Sequence, residues 1–179
     1  MGFDPQLNDT SWETIETRWL ELRQRAALIG PHGAGKTTFI DAFTLRLRSN
    51  DTQVYRLFLN SERALISSEQ WADLSLSQGK IVILDGEEQL SFLQRRRFYK
   101  LTHNATGVLI SRHSKGKLPS LLDFTPRMET LAHCVRTLAP GHYEQLAPHF
   151  DQWWAEHNGN IREILLRCYD WMAEMDHNP

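Results

Sequence analysis

Apolar residues recur every three or four positions in several stretches of the chain, which is the period of an amphipathic helix. In residues 12–25, four large apolar residues fall on one helical face, and Ser11 or Thr10 is placed to cap the first turn. The same period recurs downstream. It predicts helices over residues 12–25, 36–48, 67–78, 87–104, 141–160 and 161–175.

Shorter runs are continuously apolar or alternate between apolar and polar residues, as strands do. Residues 80–86, KIVILDG, are the clearest run, because four apolar residues precede an acid. In residues 128–138, Leu131, His133, Val135 and Thr137 lie on one side of a predicted strand. The predicted strands are residues 26–29, 54–60, 80–86, 106–113 and 128–138.

The predicted strands and helices alternate along the chain, which is typical of an α/β protein with a parallel sheet. Continuously apolar strands fit a sheet that helices cover on both faces. We therefore expect a parallel five-stranded sheet sandwiched by helices, followed by a helical segment from about residue 141.

The composition fits one well-cored domain with a small appendage, because the chain has 179 residues, 41% of them hydrophobic. The net charge of −2 argues against nucleic-acid binding as the main activity but leaves room for local basic patches. Cys134 and Cys168 fit no metal-ligand spacing, which favours buried, reduced thiols. The polar N-terminus carries no signal region, and no apolar run approaches about 18 residues, so we expect a cytoplasmic protein that does not cross a membrane.

The segment between the first predicted strand and the second predicted helix reads GPHGAGKT and matches G-x-x-x-x-G-K-[ST]. Glycines let backbone amides turn toward a phosphate chain, and the following helix N-terminus adds partial positive charge. Lys36 is the candidate ligand of the β- and γ-phosphates, and Thr37 the candidate magnesium ligand. ATP is favoured over GTP because no N-K-x-D stretch is present. The predicted nucleotide-binding residues are Gly30, Pro31, His32, Gly33, Ala34, Gly35, Lys36, Thr37 and Thr38.

Asp85 ends the apolar strand 80–86 and is the second candidate magnesium ligand, directly or through water. The alternative is an N-cap of the next helix. ATPases with these two motifs usually carry a glutamate directly after this aspartate, whereas this chain has Gly86. LDGEEQL resembles the second acidic motif of NACHT-type signalling ATPases, in which a glycine follows the aspartate and an acid comes three residues on. The resemblance implies Glu88 as catalytic base and Glu87 as its alternative; both could instead only charge a helical first turn.

Two further segments carry candidates for sensing the γ-phosphate. Ser111 and His113 lie two apart on one side of the predicted strand 106–113, and either could polarise water or respond to phosphate loss. The sequence GNIRE, residues 159–163, resembles the sensor-2 segment of AAA+ ATPases, and that match makes Arg162 the candidate contact to the γ-phosphate. The alternative is a surface arginine on an amphipathic helix.

Together these motifs resemble the AAA+ and STAND (NACHT-like) group of P-loop ATPases. That resemblance implies a sheet of strand order 5-1-4-3-2, a core over residues 1–140 that includes helix 12–25, and a small helical lid over 141–179. It also implies ATP, Mg²⁺ and, often, assembly through an arginine acting in trans. Arg112 and Arg127 lie in the right region for such a finger, which stays unassigned. The lid is small for this group, which weighs against a ring.

The resulting hypothesis is a slow, Mg²⁺-dependent ATPase that acts as a switch or motor on a partner protein, with homo-oligomers allowed. Three alternatives stay open. The first is a non-catalytic nucleotide-binding module, which Gly86 favours, and the second is a small-molecule or nucleotide kinase. The third is a DNA-linked ATPase that uses the basic stretches RQR, RRR and SRHSKGK as phosphate contacts, although RRR also fits a solvated helix face.

Overall fold

The structure is a computed structural model that describes residues 2–176. Within these residues five parallel strands form a single sheet: β1 Arg25–Ile29, β2 Val54–Phe58, β3 Ile81–Asp85, β4 Gly107–Arg112 and β5 Ser120–Asp123. Their order across the sheet is β2-β3-β4-β1-β5. Strand β3 is wholly buried, which explains why its sequence is apolar without alternation. The carboxyl ends of the neighbouring strands β3, β4 and β1 lie side by side.

The predicted fifth strand is wrong. Residues 128–138 form a helix, and the position beside β1 is taken by Ser120–Asp123, which the sequence had indicated as loop. Read from that edge, the order is 5-1-4-3-2, but the fifth strand is a different segment from the predicted one. The apparent alternation in 128–138 misleads because the residues that are buried are Leu131, Cys134 and Val135, which follow helical spacing.

Eight helices flank or follow the strands in the described part of the chain. Serine caps begin three of them, Ser11, Ser67 and Ser91, and the last two form capping boxes with a glutamine three residues on. No helix within residues 2–176 is both long enough and apolar enough to cross a bilayer. The helices are α1 Trp12–Glu21, α2 Lys36–Ser49, α3 Ser68–Ser75, α4 Phe92–Leu101, α5 Met128–Leu138, α6 Tyr143–Leu146, α7 Phe150–Glu156 and α8 Ile161–Asp176.

The chain divides into two compact units, which we call the sheet unit and the helical unit. The sheet unit comprises residues 2–30 and 36–123, with all five strands. The helical unit comprises the loop 31–35 and the described residues from 124 onward. It includes α5, which packs with the helices that follow it.

The helical unit has its own apolar core, in which Trp153 is almost fully buried beside residues of α5 and α8. Both cysteines lie in this core as free thiols, as the sequence predicts. Burial raises the pKa of the Cys168 thiol to about 11, so its reactive thiolate form is disfavoured near neutral pH.

Candidate functional site

The Lys36 side chain begins the candidate site at the start of α2. Its ammonium donates a hydrogen bond to the Gly30 carbonyl, 2.6 Å away, at the end of β1. Burial lowers the pKa of Lys36, and the nearby carboxylates of Glu88 and Asp85 oppose that shift. The amine is therefore held at the carboxyl edge of the sheet, within the field of two acids.

A triad of oxygen-bearing side chains lies at the ends of β3 and β4. The Thr37 hydroxyl donates to Asp85 Oδ2 at 2.8 Å, and the Ser111 hydroxyl donates to Asp85 Oδ1. Ser111 also accepts a hydrogen bond from the Gly86 amide at 2.8 Å. Asp85 and Ser111 are almost fully buried, so these hydrogen bonds fix the carboxylate orientation.

Gly86, which follows Asp85, has no room for a side chain. Its φ of 94° lies in the left-handed region that favours glycine. A Cβ at this position would overlap the Leu59 carbonyl oxygen, which follows β2, and the Leu59 amide in turn donates to the Asp85 carbonyl at 2.8 Å. The backbone of two adjacent strands thus excludes any acid at position 86.

The next two acids point to different environments. Glu88 Oε1 lies 3.2 Å from His113 Nε2, and its buried Oε2 has no hydrogen-bond partner within residues 2–176. Glu87 is fully buried and its Oε1 lies 2.7 Å from Arg95 Nε. Glu88, not Glu87, therefore shares the environment of Lys36 and His113.

In the helical unit, the loop 31–35 lies against the first turn of α8. Gly33 and Gly35 have φ values of 70° and 94°, so both require the left-handed backbone. A Cβ on Gly33 would overlap Asn160 Oδ1 and lie 3.2 Å from the Arg162 amide nitrogen. Within the GNIRE segment, Asn160 is thus the side chain that lies against the loop, while the Arg162 side chain is exposed.

Three residues near these groups were not anticipated from the sequence. Arg56 on β2 places Nη2 4.0 Å from Asp85 Oδ2 and also pairs with Asp41. Arg95, expected on a solvated helix face, pairs with Glu87, and Asn160 contacts the loop. No sequence motif marks these three residues. Their polar side chains were the only signal, because each contact forms only when the chain is folded.

The sheet unit therefore brings six predicted site residues to one edge: Lys36, Thr37, Asp85, Glu88, Ser111 and His113. Thr38 is exposed in the first turn of α2, and Pro31 and His32 are exposed in the loop. Within residues 2–176, no three His, Cys, Asp or Glu side chains cluster as a metal cage. A scan of the sequence against protein-family models finds no matching family, and a search of curated proteins finds no match.

Proposed function

We propose that the protein binds ATP with Mg²⁺ through residues 30–38 and hydrolyses it slowly as a nucleotide-dependent switch acting on a partner protein. The observation that carries this proposal is the hydrogen bond from Thr37 to Asp85, which joins two widely separated motifs. It lies at the carboxyl edge of a parallel sheet, where ligands of open α/β sheets bind. Lys36 lies at the same edge and supplies a positive charge for phosphate oxygens.

The Thr37 hydroxyl and the Asp85 carboxylate are the residues that would hold Mg²⁺. Their chemistry fits, since this ion prefers hard oxygen ligands and takes one or two protein oxygens besides phosphates and water. When bound, Mg²⁺ would neutralise charge on the phosphates. Ser111 holds Asp85 in orientation, because its hydroxyl already donates to that carboxylate and accepts from the Gly86 amide.

Glu88 is the residue proposed to orient the attacking water. Its Oε2 is buried and lacks a hydrogen-bond partner among the described residues, so an acceptor is free for a water O–H. His113 lies beside its other oxygen and limits the rotation of the carboxylate. Glu87 is a poorer candidate, since Arg95 occupies its Oε1.

Arg162 is the proposed reporter of the γ-phosphate. It is exposed at the first turn of α8, next to Asn160, which contacts loop residue Gly33. A guanidinium pairs strongly with a phosphate only while that group is present. Loss of the γ-phosphate would therefore release Arg162 and change the contacts that the helical unit offers to a partner or to a second copy.

A second candidate function is a non-catalytic nucleotide-binding module. The observation that favours it is Gly86, where the Leu59 carbonyl excludes the acid that usually activates water in such sites. The two functions share the same ligands, Lys36, Thr37 and Asp85, and differ only in whether Glu88 acts on water.

Steady-state ATP turnover and the affinity for a fluorescent ATP analogue test both functions. We expect Glu88→Gln to bind nucleotide within a few-fold of the unaltered protein while turnover falls by about 10²–10⁴-fold, the usual contribution of a general base. Lys36→Ala should weaken binding itself. The exposed Glu62→Gln is the matched control for the chemical change and should alter neither quantity.

Each remaining outcome is decisive. Tight binding without turnover in the unaltered protein supports the non-catalytic module. Turnover that survives Glu88→Gln removes Glu88 from the mechanism. Failure of the unaltered protein to bind ATP at all refutes both functions.

A further inference from the structure

The segment between Glu88 and Asp123 carries an unusual charge distribution for a chain of net charge −2. It contains seven Lys and Arg residues and no Asp or Glu. In the structure this segment forms α4, β4 and the loop after β4. Residues from two of its basic stretches, RRR and SRHSKGK, are distant in sequence but line one cavity of about 570 Å³.

One wall of the cavity is a face of α4. Residues at helical spacing line it, and the opposite side of the helix buries Phe98 in the core of the sheet unit. The lining residues on this wall span about two helical turns, or roughly 12 Å from first to last, and the basic ones among them span roughly 8 Å. The wall residues are Phe92, Arg95, Arg96, Tyr99 and Lys100.

The other wall is formed by the end of β4 and the loop that follows it, with Arg112, Gly116 and Lys117. A Cβ on Gly116 would overlap the Arg112 guanidinium, so the glycine leaves room for that group against the backbone. The Lys117 ammonium lies 5.0 Å from the centre of the Tyr99 ring and so reaches across to α4. Cations therefore face the cavity from both walls.

The residues that line the cavity carry more positive than negative charges. Among its lining residues Glu87 is the one acid, and it lies 2.7 Å from Arg95 and 3.8 Å from Arg112. No ion pair involves Arg96, Lys100 or Lys117 within the described part of the chain. The buried Arg112 Nε lacks a hydrogen-bond partner there, so its N–H is available to an anionic ligand. Cations without a counter-charge and a buried cationic donor without an acceptor are features of a site that an anionic ligand completes.

We propose that this cavity binds the phosphate backbone of a single-stranded nucleic acid. Arg96 and Lys100 lie one helical turn, roughly 6 Å, apart along α4, and Lys117 lines the cavity from the loop after β4, so the three cations contact successive phosphates. Phe92, at the end of the same wall and 75% exposed, stacks on a base. A concave basic cleft with an aromatic rim suits a flexible strand, whereas a duplex groove is entered by a protruding helix or ribbon. This inference does not depend on the proposed ATPase activity.

The test is fluorescence anisotropy with a labelled oligothymidylate of about 16 nucleotides, the upper end of single-strand site sizes, in the absence of ATP. The variant is Arg96→Ala with Lys100→Ala, and the control is Arg48→Ala with Arg63→Ala. Both control positions are exposed, lie outside the cavity and remove the same charge. Competition with pyrophosphate and with duplex DNA separates a strand from other phosphate sources.

We expect the affinity for the oligothymidylate to fall as the salt concentration rises from about 50 to 200 mM. Loss of two phosphate contacts should weaken binding and make the slope of log K against log salt shallower by about 1.4, at roughly 0.7 per contact for single strands. The control should keep both the affinity and the slope. Phe92→Ala should reduce affinity by about tenfold with the slope unchanged, as expected for loss of base stacking.

Four outcomes would overturn the proposal. One is no binding of the oligothymidylate at the lower salt concentration. Another is equal loss of affinity in the cavity variant and the control, which indicates attraction by net charge alone. The third is displacement of the oligothymidylate by pyrophosphate at concentrations as low as those of the unlabelled oligothymidylate, which indicates a small-anion site. The fourth is tighter binding of the duplex than of the oligothymidylate.

Discussion

Gly86→Ala tests the steric argument about the end of β3. Two costs act at this position. The left-handed φ of 94° is unfavourable for a residue with a Cβ, and that Cβ would overlap the Leu59 carbonyl oxygen. The first cost is about 1 kcal/mol and the second, an overpacking cost, is about 1–3 kcal/mol, so we expect about 2–4 kcal/mol in all.

Gly79→Ala is the matched control, because it separates the two costs. Gly79 has a φ of 77°, yet a Cβ built there meets no atom within 4 Å. Its substitution should cost only about 1 kcal/mol, for the backbone conformation alone. For chains of this size, each kcal/mol lowers Tm by roughly 2–4 °C, so the two variants should be separable by thermal melting.

The measurement is urea and thermal unfolding of the unaltered protein and both variants, followed by circular dichroism. The argument predicts that Gly86→Ala loses clearly more stability than Gly79→Ala. Equal losses would refute it, because they would mean that the Leu59 carbonyl does not restrict position 86. An acid at that position would then be sterically allowed, and its absence would need another explanation.

Three further predictions follow from buried polar groups. Ser111→Ala leaves the buried Gly86 amide without its acceptor, so the free energy of unfolding measured in urea should fall by about 1–3 kcal/mol. Cys134 and Cys168 should react with a thiol reagent such as DTNB only after unfolding, since burial raises the pKa of both thiols. Burial and the Glu87 carboxylate raise the pKa of Tyr99 to about 12. Its raised pKa therefore stabilises the folded state fully below about pH 10, and this contribution is lost as the pH rises toward 12. We expect the free energy of unfolding in urea to fall between these pH values in the unaltered protein. The fall should be smaller in Tyr99→Phe, which has no phenol to ionise.

Strands β1, β3 and β4 could be predicted because their burial leaves a direct mark on the sequence, whereas β2 was predicted from the alternation of its residues. Strands β3 and β4 are covered on both faces and are therefore continuously apolar. Strand β5 could not be found this way. It has four residues at a sheet edge, and its sequence SLLD carries too few positions to establish a period. The longer segment 128–138 attracted the prediction instead, although it is helical.

Some residues of the candidate site could be predicted from the sequence, and others could not. Lys36 and Thr37 were predicted from contiguous sequence, and Asp85 from its place at a strand end. The sequence named Glu88 as the candidate base and Glu87 as its alternative, but their different surroundings could be seen only in the structure, because they depend on the left-handed backbone at Gly86 and on side chains from α4 and from the end of β4. Likewise, only the folded chain brings the RRR and SRHSKGK stretches to one cavity.

Two acid–base pairs lie side by side just after β3 and β4. Glu87 lies near Arg112, and Glu88 lies near His113. Glu87 and Glu88 follow Gly86 in a 3₁₀ turn, where successive side chains point about 120° apart because three residues make one turn. Arg112 ends the neighbouring strand β4, and His113 directly follows it. Glu87 accordingly lies near Arg112 in the basic cavity, while Glu88 lies beside His113 in the environment of Lys36. Adjacent residues, Glu87 and Glu88, therefore belong to two different proposed sites, the cavity for single-stranded nucleic acid and the ATP site. For that reason Glu88→Gln can test hydrolysis without altering the cavity, and Arg96→Ala with Lys100→Ala can test strand binding without altering the residues proposed to hold ATP.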